Sequence, residues 1–143
     1  MSFNYEQSFT IEGGNFTDAG EVSVFIKRTL QSMGIPSETL RRVAIATYES
    51  EINIISYARA GVIRIRVTPE NIIINVDDEG PGIENIELAM RVGYSTADEK
   101  IREMGFGAGM GIPNIINCSD DFTLTSEVSK GTHLKILINI STN

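Results

Sequence analysis

The sequence predicts an α/β two-layer sandwich, in which a mixed, mostly antiparallel sheet carries its helices on one face. Three observations predict it. In VIRIRV, residues 62–67, Ile63, Ile65 and Val67 alternate with Arg64 and Arg66, the pattern of a strand with one buried face. Apolar residues recur at helical spacing over 18–33, and a second, longer helix is expected over 37–60. The element order is strand, two helices, two strands, a helix, a long loop, a helix and two strands. Because strand and helix do not alternate regularly, a doubly wound nucleotide fold is disfavoured. At 143 residues the chain reads as one domain spanning 1–143, long enough to bury a core without disulfides or metal.

Residues 3–12 read as a short edge strand ended by Gly13 and Gly14. From Asp18 to Met33 the apolar positions Val22, Phe25, Ile26 and Leu30 define a helix that Gly34 stops. Ser37, after Pro36, is expected to cap a long helix running through about Ala60, with Gly61 at its end. VIRIRV then turns tightly through Pro69 to Asn71 into IIINV, a hairpin, and Asp77 to Gly82 are expected to break that strand. Residues 84–92 read as a short helix and 93–108 as a long loop of the kind that carries function. A helix of about ten residues then ends near Ser119, and DFTLTSEV and THLKILINI close the chain as a hairpin turning at Ser129 to Gly131.

Composition narrows the classes of function. A net charge of −7 argues against nucleic acid or an anionic membrane as the main partner. Cys118 is alone, so neither an intrachain disulfide nor a cysteine metal cluster is expected. His133 is the only histidine and falls in an expected strand, which disfavours histidine-based catalysis and most zinc sites. The start, MSFNYEQSF, has no basic or apolar signal-like run, and no apolar stretch reaches the roughly 18–20 residues of a membrane span. A cytoplasmic protein is expected.

Four segments carry chemistry. GFGAGMGI, residues 105–112, places glycine at every second position from Gly105 to Gly111. It lacks the Gly-Lys-Ser/Thr of a P-loop, and no register gives the dinucleotide pattern of three glycines. Read alone it is either a flexible linker or an anion cradle whose backbone N–H groups lead into a helix N-terminus. VDDEGPGI places Asp78, Gly80 and Gly82 after a buried strand. That is good turn chemistry, and equally a carboxylate placed to accept from an exocyclic amine. In the long helix, Glu49 and Asn53 are four apart and share a face, which suits either solvent or an oxygen-ligated metal. Gly131-Thr132, entering the last strand, is by itself only a turn.

In this order and spacing, the four resemble the boxes of the GHKL ATPase superfamily, over about residues 37–140. Glu49-x-x-x-Asn53 resembles its N-box, Asp78-x-Gly80-x-Gly82 its first glycine box, Gly107-x-Gly109-x-Gly111 its second, and Gly131-Thr132 its closing pair. The stretch GPGIENIELAMRVGYST through GAGMGIPNI to SDDF is similar to the small bacterial anti-sigma-factor and switch serine/threonine kinases. The resemblance implies a Bergerat-type ATP-binding fold, with ATP and Mg²⁺ as cofactors. It implies that Asp78 accepts from the adenine amino group with help from Thr132, that Asn53 ligates Mg²⁺, and that Glu49 is the general base. Gly80 and Gly82 would border the nucleotide, and Gly107, Ala108, Gly109, Met110 and Gly111 would bring backbone amides to the phosphates. Lys100 or Arg102 in the 93–108 lid would neutralise charge on the γ-phosphate.

The implied partners are ATP or ADP, a STAS-type anti-sigma-factor antagonist, a sigma factor or phosphatase, and a second copy of the chain. The implied activity is phosphorylation of that antagonist; the other reading is a non-catalytic ATP/ADP-sensing interaction module. Two departures from the family pattern stand out. Glu51 lies on the far side of the helix from Glu49, where a structural or partner contact is expected. Tyr57 occupies a position where some members carry histidine, and packing is expected of it.

Overall fold

The computed structural model describes residues 4–80 and 111–140. The edge strand is β1 (Tyr5–Glu12), followed by a 3₁₀ turn at Phe16–Asp18. Helix α1 is Glu21–Ser32 and α2 is Ser37–Tyr57. The first hairpin is β2 (Ala60–Val67) with β3 (Asn71–Glu79). Helix α3 (Gly111–Cys118) precedes the second hairpin, β4 (Asp121–Glu127) with β5 (Gly131–Asn139).

The strands form one five-stranded sheet in the order β1-β2-β3-β5-β4. It is the mostly antiparallel sheet expected, and among the described residues every pair is antiparallel. Alternation decides which face is covered. Ile63, Ile65 and Val67, then Ile72, Ile74 and Val76, then Leu134, Ile136 and Ile138 are buried, whereas Arg64, Arg66 and Lys135 point to the open face. Helix α2 lies across the buried face, against strands β1, β2, β3 and β5, with α1 and α3 packed on its two flanks. Its buried residues Leu40, Val43, Ala46, Ile54 and Ile55 join those strands in one core. The same parity carries Asp78 and Thr132, at the end of β3 and the start of β5, onto the helix-facing side.

Element boundaries depart from the sequence expectation in four places. Helix α1 begins at Glu21 because Gly20 takes a left-handed conformation (φ +97°) that no helix continues through. Ser37 is the first helical residue of α2 and makes no cap; Pro36 holds the cap position. Helix α2 stops at Tyr57, with Ala58 extended, and Gly61 sits inside β2 instead of at the helix end. Strand pairing explains both this and the fourth difference. Ala60 and Gly61 pair with Glu79 and Asp78, so β3 runs on through the acidic residues expected to break it.

Two polar ties fix the helix layer. The Glu51 carboxylate, 2% exposed, accepts from the backbone N–H groups of Gly20 (3.1 Å), Val22 (3.3 Å) and Ser23 (3.1 Å). A buried charge is thereby matched to the positive N-terminus of α1, which has no side-chain cap of its own. This is the structural contact expected of Glu51. At the other end of the layer, Arg42 Nε donates to the Cys118 carbonyl at the end of α3 (3.0 Å). Its Nη2 lies 2.9 Å from Asp120 Oδ2, which also accepts from the Asn139 N–H (2.7 Å). No helix among the described residues is long and apolar enough to cross a membrane.

Candidate functional site

Helix α2 presents Glu49 and Asn53 on one face because they are one turn apart. Against that face stands the first turn of α3. A Cβ on Gly111 would lie 3.1 Å from Asn53 Oδ1 and 3.5 Å from Nδ2, so the backbone approaches the amide as closely as glycine allows. Three residues further on, Asn114 Nδ2 donates to Glu49 Oε2 at 2.7 Å. The two helices therefore meet in register, Gly111 on Asn53 and Asn114 on Glu49. Along the same face of α2, Ser56 Oγ is buried and has no hydrogen-bond partner among the described residues.

Beyond the C-terminal end of α2 lies the strand end that carries Asp78. Its Oδ1 accepts from the Thr132 N–H (3.0 Å), and Thr132 Oγ1 hydrogen-bonds with Ser126 Oγ (3.0 Å). Gly131 makes this approach feasible: at φ +145° it places its Cα where a Cβ would come within 1.9 Å of the Asp78 carbonyl. Gly80 packs on Ala58, the residue that ends α2, with a built Cβ 3.3 Å from its Cα. Burial pushes the Asp78 carboxyl above its ordinary value; the Thr132 N–H opposes that shift and neighbouring Asp77 adds to it. Asp77 itself is on the open face, bonded to His133 Nδ1 (2.6 Å) and 3.5 Å from Arg64 Nη1. His133 thus faces away from Asp78 and Thr132.

The structure brings together Glu49, Asn53 and Gly111 on one side, and Asp78, Gly80 and Thr132 on the other, joined by the end of α2. Gly82, Lys100, Arg102, Gly107, Ala108, Gly109 and Met110 lie outside the described residues. Asn114 and Ser56 went unnoticed in the sequence. Asn114 stands in IPNI directly after the glycines, but only the register of α3 on α2 shows that it reaches Glu49. Ser56 lies three residues after Asn53, so helical spacing alone places it on this face. Among the described residues no cluster of histidine, cysteine, aspartate and glutamate could hold a metal.

A family profile of the histidine kinase-like ATPase domain matches residues 15–138. The chain belongs to that family, the GHKL ATPase-like domains, and is related within it to the anti-sigma-factor and switch kinases. It is 28% identical over 115 residues to the serine/threonine-protein kinase RsbT of Bacillus subtilis, spanning 78% of this chain and 80% of that protein. It is 34% identical over 107 residues to an anti-sigma F factor of Caldanaerobacter subterraneus, covering 75% of this chain and 67% of the relative. In fold it is similar to a chain in the crystal structure of the SiaB–SiaC complex from Pseudomonas aeruginosa, with a TM-score of 0.61 and 14% identity over 96% of this chain and 88% of that one.

Proposed function

We propose that this chain is a cytoplasmic ATP- and Mg²⁺-dependent serine/threonine protein kinase of the anti-sigma-factor and switch type. It forms one GHKL domain, phosphorylates a small STAS-type antagonist protein and thereby controls a transcription-regulatory partner. The observation that carries this reading is the register of α2 on α3, which sets an acid and an amide against the start of a helix whose preceding residues are glycine-rich.

The residues present fit the nucleotide and its metal. The half-buried Asp78 carboxylate, steadied by Thr132, supplies an acceptor suited to an adenine amino group. Ser56 Oγ adds a buried hydroxyl with no partner among the described residues. Asn53 offers an oxygen ligand of the neutral type Mg²⁺ accepts, and the glycine box and the N-terminus of α3 offer N–H groups to phosphate. When bound, Mg²⁺ and ATP supply the phosphoryl group and the charge that neutralises it. Glu49 takes the proton of the acceptor hydroxyl, and Lys100 or Arg102 offsets charge on the γ-phosphate.

The test is Glu49→Gln, assayed with radiolabelled ATP and STAS-type antagonists. Magnesium-dependent ATP affinity should stay within several-fold of the parent while transfer to the antagonist is abolished. Unchanged transfer removes Glu49 from the chemistry. Calorimetry that detects no ATP binding at millimolar ligand with magnesium overturns the whole reading, and tight binding without turnover of any antagonist favours a nucleotide-sensing module.

A further inference from the structure

Glu49 is held by a side chain that nothing in its own helix requires. Asn114 is the fourth residue of α3, inside the helix, where an asparagine side chain ordinarily turns to solvent or bonds within its own helix. Here its amide instead crosses to α2 and donates to Glu49 Oε2 at 2.7 Å. The carboxylate already gains from standing near the N-terminus of α3, so charge complementarity does not need the amide. What the amide adds is direction: it fixes the plane of a carboxylate that otherwise rotates freely, and it occupies one oxygen of the two.

We infer that Asn114 is the positioning residue of the general base, acting through Glu49. This rests on the kinase reading above. With Oε2 engaged, Oε1 takes the proton as the acceptor's O–H bond breaks. The hydroxyl oxygen forms its bond to the γ-phosphorus, and the bridging P–O bond breaks with its electron pair leaving on ADP. Gly111 and Asn114 are three residues apart on α3, and Asn53 and Glu49 four apart on α2. One helix–helix contact therefore sets the metal ligand and the base together.

Three variants test this: Asn114→Leu, Asn114→Gln and Asn114→Leu combined with Glu49→Gln. Binding of magnesium and AMP-PNP is measured by calorimetry, transfer to a STAS-type antagonist by radiolabel, and folding by thermal melt. Asn114→Leu should lower kcat about 10- to 100-fold while the KM for ATP and the affinity for AMP-PNP stay within about 3-fold. Asn114→Gln, which retains a donor, should recover part of the loss. By thermal melt, Asn114→Leu should lower the melting temperature less in the Glu49→Gln background than in the parent, because the pair is already weakened there. In ¹⁵N spectra of the parent, the Asn114 side-chain NH₂ pair should move on Glu49→Gln. A wild-type kcat in Asn114→Leu, an equal loss of melting temperature in both backgrounds or an unmoved NH₂ pair overturns the inference. The kinase reading fails separately, through absent AMP-PNP binding or full transfer by Glu49→Gln alone, and an NH₂ pair that still moves then leaves Asn114 a purely structural tie.

Discussion

Glu49 and Glu51 stand two residues apart on α2, roughly 200° around the helix, and they serve opposite neighbours. Glu51 faces α1, is sealed from solvent and accepts from three backbone N–H groups that no residue of α1 caps. Glu49 faces α3, is half-buried and, among the described residues, meets a single side-chain amide. The first arrangement is saturated, with no room for a ligand and every reason to be rigid. Among the described residues, the second leaves one carboxylate oxygen unengaged beside the start of α3. One flank of α2 is therefore a fastening and the other is the flank we propose for the chemistry, although both are built from the same residue type.

The sharpest way to break that comparison is Glu51→Ala. It strips the acceptor from three backbone N–H groups at once and should cost about 3 kcal/mol of unfolding free energy, since each lost charged hydrogen bond is worth about 1.5–3 kcal/mol and the losses are not additive. Urea denaturation should show that loss, with Glu49→Gln shifting stability by less than about 0.5 kcal/mol. Equal losses at the two positions would erase the distinction between the flanks.

Next in size is Gly131→Ala. The new methyl would fall 1.9 Å from the Asp78 carbonyl, so β3 and β5 must part where Asp78 meets Thr132. A loss of about 2 kcal/mol is expected from strain at φ +145°, accompanied by weakened ATP binding. If calorimetry gave parental ATP affinity, the strand end would not belong to the working flank.

The smallest effect on stability, and the most informative in sign, belongs to Asp78→Asn. Burial raises the folded-state value of Asp78 above that of the unfolded chain. Its contribution is therefore fully present below the ordinary carboxylate range and is lost as pH rises through the raised value. Asparagine keeps an acceptor for the Thr132 N–H without the charge. The variant should be at least as stable as the parent at pH 7, and the difference should vanish below about pH 4. Adenine nucleotide affinity should nevertheless fall at least tenfold. A variant less stable at pH 7 would show that the charge is held favourably and that Asp78 belongs with Glu51 as a fastening.

Much of the fold was legible because it rests on local periodicity. The alternation of Ile63, Ile65 and Val67 with arginines, and the four-residue spacing of Glu49 and Asn53, are each contained within one element. The boundaries were less so. Ala60 and Gly61 read as the end of a helix because helical propensity is local, yet pairing with Glu79 and Asp78 across the sheet outweighs it. The insertion of β5 between β3 and β4 is likewise a long-range choice that no short window reveals. At the candidate site, the far-side position of Glu51 followed from the helix turn. Its partners left only a faint mark, a glycine where the start of α1 would ordinarily carry a cap. Asn114 left less, since only the packing of α3 on α2 shows which residue its amide reaches.

The tie made by Arg42 bears on how α3 can respond to anything that arrives at its glycine end. Its final carbonyl is clasped by a guanidinium that also grips Asp120, and Asp120 in turn is latched to the last strand. Among the described residues its opening turn meets α2 through Gly111 on Asn53 and Asn114 on Glu49. Tail and head thus answer to different neighbours, the tail to the sheet and the head to the face of α2 that carries Glu49 and Asn53. Anything that shifts the head therefore meets Glu49 and Asn53 before it meets the sheet.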